Sequence, residues 1–467
     1  MTVKAIMPVR FMNPVEPLGH KPTAMRTTDT GGQQLALWSG AVTGLIGANL
    51  WPGDVDSSQQ RRTPATTPSS RTSRTATRIG TTRTTSTGCG PFADSSPCPP
   101  LDGAPFTMAD LVQAWLDCRR NKRQSKSAQA FEAHAEQNLC ALRAELLSQT
   151  YTPGRSTCFV VIRPRAREVW AAEFEDRIVH HLLYNHIAPR FIAGFVAGSS
   201  ACLPERGTLY AAKRLEHDVR SITQNWSRPA HYLKLDLSNF FVSIDKHVLF
   251  AQLAAKVTEP FWLALTRTVL FHNPGESYQY RGDAALLERV PAHKRLLLAA
   301  PDTGLPIGNL SSQFFANVHL NALDQFCKHQ IGARYYGRYV DDFYLLHESS
   351  RWLHQAHQRI AAWLPERLGA RLNTSKTITQ PLGRGVDFVG HVIKPWRRTT
   401  RKRTLATAVN RLRTMPAADV FTAGNSYLGL LGQASHSHAD RATVANVLRQ
   451  RGHAVKGDFS KIYRRTT

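Results

Sequence analysis

The chain has 467 residues, of which 42% are apolar, enough for a sizeable core and too many for a wholly disordered polypeptide. Its 59 Lys and Arg outnumber 34 Asp and Glu, and the formal charge of +25 favours a polyanionic partner, either nucleic acid or an acidic membrane surface. Seven cysteines without a C-x-x-C pair argue against a disulfide framework or a zinc ribbon and for a reducing cytosol.

The chain opens without a charged-then-apolar leader. Its one early apolar stretch, Leu35–Trp51, is cut by Gly40, Gly44 and Gly47 and is shorter than the ~20 residues a spanning helix needs. The expectation is a soluble, cytoplasmic protein with no membrane partner. Residues 1–107 hold 10 basic and 6 acidic residues, whereas residues 108–467 hold 49 and 28, so the polyanion-binding charge lies in the later part. Between Arg61 and Gly90 run eleven threonines and six arginines with no acid and no periodic apolar face, which reads as a low-complexity, solvated arm.

Order is expected from Met108. Ala109–Arg119 and Ala128–Leu147 carry apolar residues at three- and four-residue spacings and predict helices. Phe159–Ile162 predicts a short strand, and Phe174–Ile187 a helix ended by Pro189. His231–Asp236 (HYLKLD) predicts a buried strand, followed by a turn and a helix from about Lys246. Asn309–Lys328 predicts a long helix. Ala333–Tyr339 and Phe343–His347 predict a β-hairpin around Val340–Asp342, Val386–Ile393 another strand pair, and Arg401 onward mixed helix and loop. This order suggests an α+β domain with helices packed on an antiparallel sheet.

Chemistry concentrates in Arg338–Phe343 (RYVDDF). Adjacent carboxylates in an apolar strand–turn–strand resist joint ionisation unless cations neutralise them. Taken alone, an Asp-Asp turn is common. Asp236, which ends the apolar strand Tyr232–Leu235, changes the weight: a carboxylate leaving one buried strand opposite an Asp-Asp hairpin is what two-metal phosphoryl transfer needs. Hard oxygen ligands suit two Mg²⁺ ions, and no His/Cys cluster competes for the role.

These blocks resemble the reverse transcriptases. LDLSNFF (235–241) is similar to their first palm motif, GLPIGNLSSQFFANVHLNALD (304–324) to the second, and YVDD (339–342) to the aromatic-x-Asp-Asp box. RLNTSKT (371–377) and GVDFVGHVI (385–393) follow in order, and REVWAAEFEDRIVHHLL (167–183) resembles the fingers block of intron-type enzymes. The resemblance covers about residues 108–440. It implies a right-handed fingers–palm–thumb polymerase: N-terminal helices and fingers over 108–230, a palm with an antiparallel sheet over 231–395 and a basic thumb over 396–467, preceded by the low-complexity arm 1–107.

It further implies that Asp236, Asp341 and Asp342 ligate two Mg²⁺ ions, with the carbonyl of Leu237 assisting. Phe241 would exclude a 2′-hydroxyl, although an ordinary core role fits it too. Arg167, and more weakly Arg163, would meet the incoming triphosphate. Lys376 would assist pyrophosphate departure, and Gly308 and Ser312 would shape the floor under the nascent base pair. Substrates would be template RNA, a primer or growing cDNA, and dNTPs.

Most of the family has Q-G-x-x-x-S-P in the second motif, whereas this chain has Ile307-Gly-Asn-Leu-Ser-Ser-Gln313. The altered form, with AWLDCRRNKRQSKSAQAFEAHAEQNL (114–139) and NSYLGLLGQASH (425–436), resembles the reverse transcriptases of diversity-generating retroelements, which copy a template-repeat RNA with errors chiefly opposite adenine. Losing a polar contact at position 307 should weaken discrimination between nucleotides, unless Ile307 merely packs. The resemblance also implies a small basic oligomeric accessory protein. Retron, phage-defence and group II intron-type enzymes are the alternatives within the family, and a catalytically idle RNA-binding relative is the alternative outside it. The threonine-rich run has a second reading, template-repeat DNA translated out of frame after an overlong start, with Met108 the native start.

Six basic residues, Lys394, Arg397, Arg398, Arg401, Lys402 and Arg403, fall within ten positions and suggest a phosphate clamp, with a solvated face as the plain alternative. His180, His181 and His186 are expected to pack or touch RNA rather than bind metal. Asp245 is expected to cap a helix, and Asp324 with Asn321 to be structural.

Overall fold

The computed structural model describes residues 103–120, 125–162 and 165–463. The threonine-rich run and Arg163 lie outside the described residues. Helix α1 (Met108–Arg119) starts at a capping box, in which the Thr107 hydroxyl accepts from the Asp110 N–H and the Asp110 carboxylate accepts from the Thr107 N–H. The helix expected over 128–147 is two: α2 (Lys126–Glu132) and α3 (Ala135–Leu147). The break at Ala133–His134 is stabilised by the Asn138 side-chain amide, which donates to the Phe131 carbonyl, while the Phe131 ring packs on Phe174.

Strands β1 (Ser156–Val161) and β2 (Arg167–Ala171) form a hairpin, and helix α4 (Phe174–Ile192) follows. Contrary to expectation, α4 runs through Pro189. The proline removes one backbone donor, but packing retains the last turn: Ala193 N–H bonds the Pro189 carbonyl, and the buried Phe191 meets Phe314 edge-on at 5.7 Å. Next come α5 (Thr208–Ile222), β3 (His231–Asp236), α6 (Lys246–Ala254), α7 (Pro260–Phe271) and β4 (Tyr278–Tyr280), which adds parallel to β1. Asp245 caps α6, accepting from the His247 and Val248 N–H groups.

Helix α8 (Leu310–Gln325) continues into a π turn over Phe326–Gln330 and leads to the hairpin β5 (Tyr335–Tyr339) and β6 (Asp342–His347). After α9 (Ser350–Leu368) comes β7 (Ile378–Pro381), which completes an antiparallel four-stranded sheet ordered β5-β6-β3-β7. The strands β8 (Val386–Phe388), β9 (His391–Lys394) and β10 (Arg397–Thr400) form a separate antiparallel sheet. Helices α10 (Lys402–Thr414), α11 (Ala417–Gly432) and α12 (His438–Gln450) close the described chain. Among the described residues no helix is long and apolar enough to cross a membrane.

The four-stranded sheet is covered on both faces, and the period of two in its strands sorts their side chains. Leu233, Leu235, Phe343 and Leu345 enter the large core shared with α4, α8 and α9. Tyr232, Tyr344 and Leu346 enter a second core with α5 and with Val386, Phe388 and Ile393 of the smaller sheet. Ala408, Leu412, Leu428, Val444 and Leu448 make a third, separate core among α10–α12.

Candidate active site

The Asp-Asp box sits at a two-residue hairpin loop. Tyr339 and Asp342 face each other across β5–β6, leaving Val340 and Asp341 as the loop. Val340 has φ 56°, a left-handed conformation that is strained for a β-branched residue. What holds it is Arg338, a guanidinium only 1% exposed. Arg338 donates to the Val340 carbonyl at 3.0 Å, to Asp324 at 2.7 Å through both Nε and Nη2, to Asn317 at 3.2 Å and to Ser199 at 3.0 Å. The Tyr336 hydroxyl adds a 2.6 Å bond to Asp324. Asp324 is thus structural, as expected, and what it supports is the turn that displays Asp341.

The third carboxylate arrives by register. Asp236 at the end of β3 lies directly across from Asp342 of β6, so the alternation that buries Leu235 and Phe343 also sets these two acids side by side. Asp236, Asp341 and Asp342 are all buried. Past Asp236 the chain is clamped on both sides. Leu237 donates to the Asp341 carbonyl at 3.2 Å, Ser238 to the Arg371 carbonyl at 2.8 Å, and Asn373 N–H to the Asp236 carbonyl at 2.8 Å. Lys376 completes the group, its Nζ 2.6 Å from Asp236 Oδ1. Three carboxylates gathered in a buried place favour the approach of cations.

The carboxylate donor set is all hard oxygen and suits Mg²⁺ rather than a thiolate- or imidazole-seeking metal. Among the described residues, however, no group of three or more His, Cys, Asp or Glu is arranged so that it could hold an ion as it stands. The residue types therefore fit a divalent cation, and their side chains do not converge on one.

A second group of expected residues forms a loop docked on β2. Ile307 is half-buried, and its carbonyl accepts from Trp170 N–H at 2.7 Å; the Asn309 side chain accepts from Ala172 N–H at 3.2 Å. On the other side, Leu305 N–H bonds the carbonyl of Phe241 at 2.7 Å, which ties this loop to the segment that follows Asp236. Phe241 is itself half-buried and meets Phe240 edge-on. Gly308 has φ 135°, and a Cβ there would lie 2.4 Å from the Trp170 carbonyl oxygen. Only glycine lets the loop approach β2 so closely.

Gly308→Ala is therefore expected to destabilise the protein by about 2 kcal/mol or more, because backbone must move. Gly332→Ala, also at positive φ but with open space around its Cβ, serves as the comparison in thermal melts. Equal losses in the two would mean that close approach to β2 plays no part.

Ser312 is buried at the start of α8, next to the half-buried Gln313. It lines a cavity of about 20 Å³, room for one water, with Ser311, Asn309, Asp176, His180 and His272. Burial lowers the His180 pKa to about 4, so that ring is a neutral packing group. Arg167 opens β2 half-buried, its pKa lowered by burial. Sequence reasoning missed Arg338, Asn309 and Asn373. Only their places beside YVDD, after Gly308 and within RLNTSKT hinted at them.

The basic run divides into buried and exposed members. Arg398 and Arg401 turn inward: Arg398 pairs with Glu216 of α5 and donates to the Gln433 carbonyl at 2.8 Å, and Arg401 grips Asp387 at 2.6 Å. From β10 and the start of α10, these contacts tie the smaller sheet to its neighbours. Arg397, Lys402 and Arg403 are exposed and Lys394 is half-exposed.

Residues 169–393 match the family model described as reverse transcriptase (RNA-dependent DNA polymerase). No curated protein matches the chain. Among solved structures, similar chains include telomerase from Candida albicans in complex with a fragment of telomeric RNA, at 13% identity and TM-score 0.41, covering 68% of this chain and 61% of that one. Apo telomerase from Candida tropicalis, truncated of its C-terminal domain, aligns at 11% identity and TM-score 0.38, covering 56% of this chain and 59% of that one. The chain thus spans about three fifths of the length of these structures.

Proposed function

With an RNA-directed DNA polymerase domain over residues 169–393, a nucleotidyltransferase, as the premise, we propose that this chain copies a template-repeat RNA into cDNA as the enzyme of a diversity-generating retroelement. The observation that carries the polymerase chemistry is the pairing of Asp236 with Asp342 beside the Asp341 turn. In this reading residues 108–230 serve as N-terminal helices and fingers, 231–395 as palm and 396–467 as basic thumb.

Asp236, Asp341 and Asp342, with the Leu237 carbonyl, would hold two Mg²⁺ ions, which when bound activate a primer 3′-hydroxyl and stabilise the departing pyrophosphate. The protein's own work is positioning. Val340 and Arg338 fix where the Asp341 carboxylate stands. Gly308 lays a flat backbone floor, held by β2, under the nascent pair, and Ser312 and Gln313 extend it. Phe241 stands where a ribose 2′-hydroxyl would collide. Arg167 neutralises the triphosphate. Lys376, once released from Asp236, carries a proton and a positive charge for the leaving group. Partners would be template RNA, a primer, dNTPs and a small basic oligomeric accessory protein.

Ile307 supports the retroelement assignment. An apolar side chain on a half-buried loop supplies no hydrogen bond to an incoming nucleotide, so wrong bases lose less by comparison. Mg²⁺-dependent synthesis on a primed RNA, with product sequencing, tests both levels. The expected result is cDNA with errors concentrated opposite template adenine, and several-fold fewer of them in Ile307→Gln. Faithful cDNA from the unaltered chain would keep the polymerase and favour a retron or phage-defence enzyme.

A further inference from the structure

The hairpin β9–β10 turns through Pro395 and Trp396, with Lys394 and Arg397 paired across its neck. Proline first and a left-handed residue second is the pattern of a type II turn, whose second position suits glycine or asparagine. Here it is held by a tryptophan at φ 62°. Such a turn also matches strand twist less well than the primed types that dominate two-residue hairpins. The indole is 62% exposed, so it fills no core. The hairpin is anchored from below by Ile393, which packs with Phe388 and Tyr344 in the second core. Backbone strain and a large apolar ring in water coincide at one residue, and neither stabilises the fold.

The surroundings are cationic. Arg397, Lys402 and Arg403 are exposed and Lys394 is half-exposed. Arg165, on the connection between β1 and β2, is near enough that its charge adds to burial and to the charge of Arg401 in lowering the Arg403 pKa. Arg403 also feels the opposite charge of Asp387, yet the exposed side chains of this face are mostly cationic and favour a polyanion. An aromatic ring beside them suits a polyanion that also offers flat, apolar faces, namely an unpaired nucleic-acid strand.

We propose that Trp396 is a stacking platform for an unpaired base of a nucleic-acid strand whose phosphates lie along Lys394, Arg397, Lys402 and Arg403. This rests on the nucleic-acid reading above and adds to it a single-strand preference and a residue that carries it.

The test is equilibrium binding of a labelled single-stranded oligonucleotide to the full chain by fluorescence anisotropy, with no turnover required. Trp396→Gly is expected to weaken binding roughly tenfold and to melt no lower than the unaltered protein, since glycine is at ease at positive φ. Trp396→Phe should retain most of the affinity, and binding to a duplex of the same sequence should be unaffected by either change. Unchanged single-strand affinity in Trp396→Gly, or equal losses on single strand and duplex, would overturn the proposal. So would Trp396-dependent binding to anionic lipid vesicles in place of the oligonucleotide. Failure of primer extension would sink the polymerase reading while leaving this binding result standing, so the two are separable.

Discussion

Asp341→Asn is expected to reduce Mg²⁺-dependent primer extension at least about 10³-fold, the scale on which charge stabilisation in a closed site operates, while the protein melts at the same temperature or higher. The substitution keeps the shape of the side chain and the backbone of the turn. The Asp341 carbonyl still accepts from Leu237 N–H, and Val340 is still held by Arg338. It removes one negative charge from a group of three neighbouring buried carboxylates. Relief of that repulsion is why stability should hold or rise as activity disappears. Extension assays and circular-dichroism melts on the same preparations check both halves. Retained extension would move the chemistry to other residues, and lost extension with a large fall in melting temperature would make Asp341 a folding residue instead.

Much of this site was legible because local patterns and the site's own geometry coincide. HYLKLD alternates, so β3 and the burial of Asp236 follow from period two, and RYVDDF announces a hairpin whose loop carries an acid. The register that sets Asp236 against Asp342 then follows from matching apolar faces. Other features were hidden because they depend on contacts distant in sequence. Pro189 reads as a helix stop, and only the packing of Phe191 on Phe314 shows why α4 passes through it. The basic run 394–403 looks uniform in sequence, yet Glu216 and Asp387 draw Arg398 and Arg401 inward and leave the others outside. Lys376 was expected to assist pyrophosphate departure; its bond to Asp236 follows from how the 371–376 segment clamps the end of β3.

Arg338→Met carries the second large expectation. It would leave Asp324 buried at 0% exposure without its cation, and breaking such a pair costs about 3–5 kcal/mol, or roughly 5–10 °C in melting temperature. Primer extension should fall as well, since the Val340 carbonyl loses its donor and the left-handed turn loses its main restraint. The double variant Arg338→Met with Asp324→Asn separates the two effects. A neutral asparagine still accepts from the Tyr336 hydroxyl and leaves no uncompensated charge, so most of the stability should return. Activity should not return, because nothing in the double variant reaches the Val340 carbonyl. Recovery of both would make the Arg338 network a matter of folding alone, and a melting temperature within 2 °C of the unaltered protein for Arg338→Met would show that the pair contributes little to either. Recovery of stability without activity would place Arg338 as a positioning residue, acting on Asp341 through one backbone carbonyl of a strained turn.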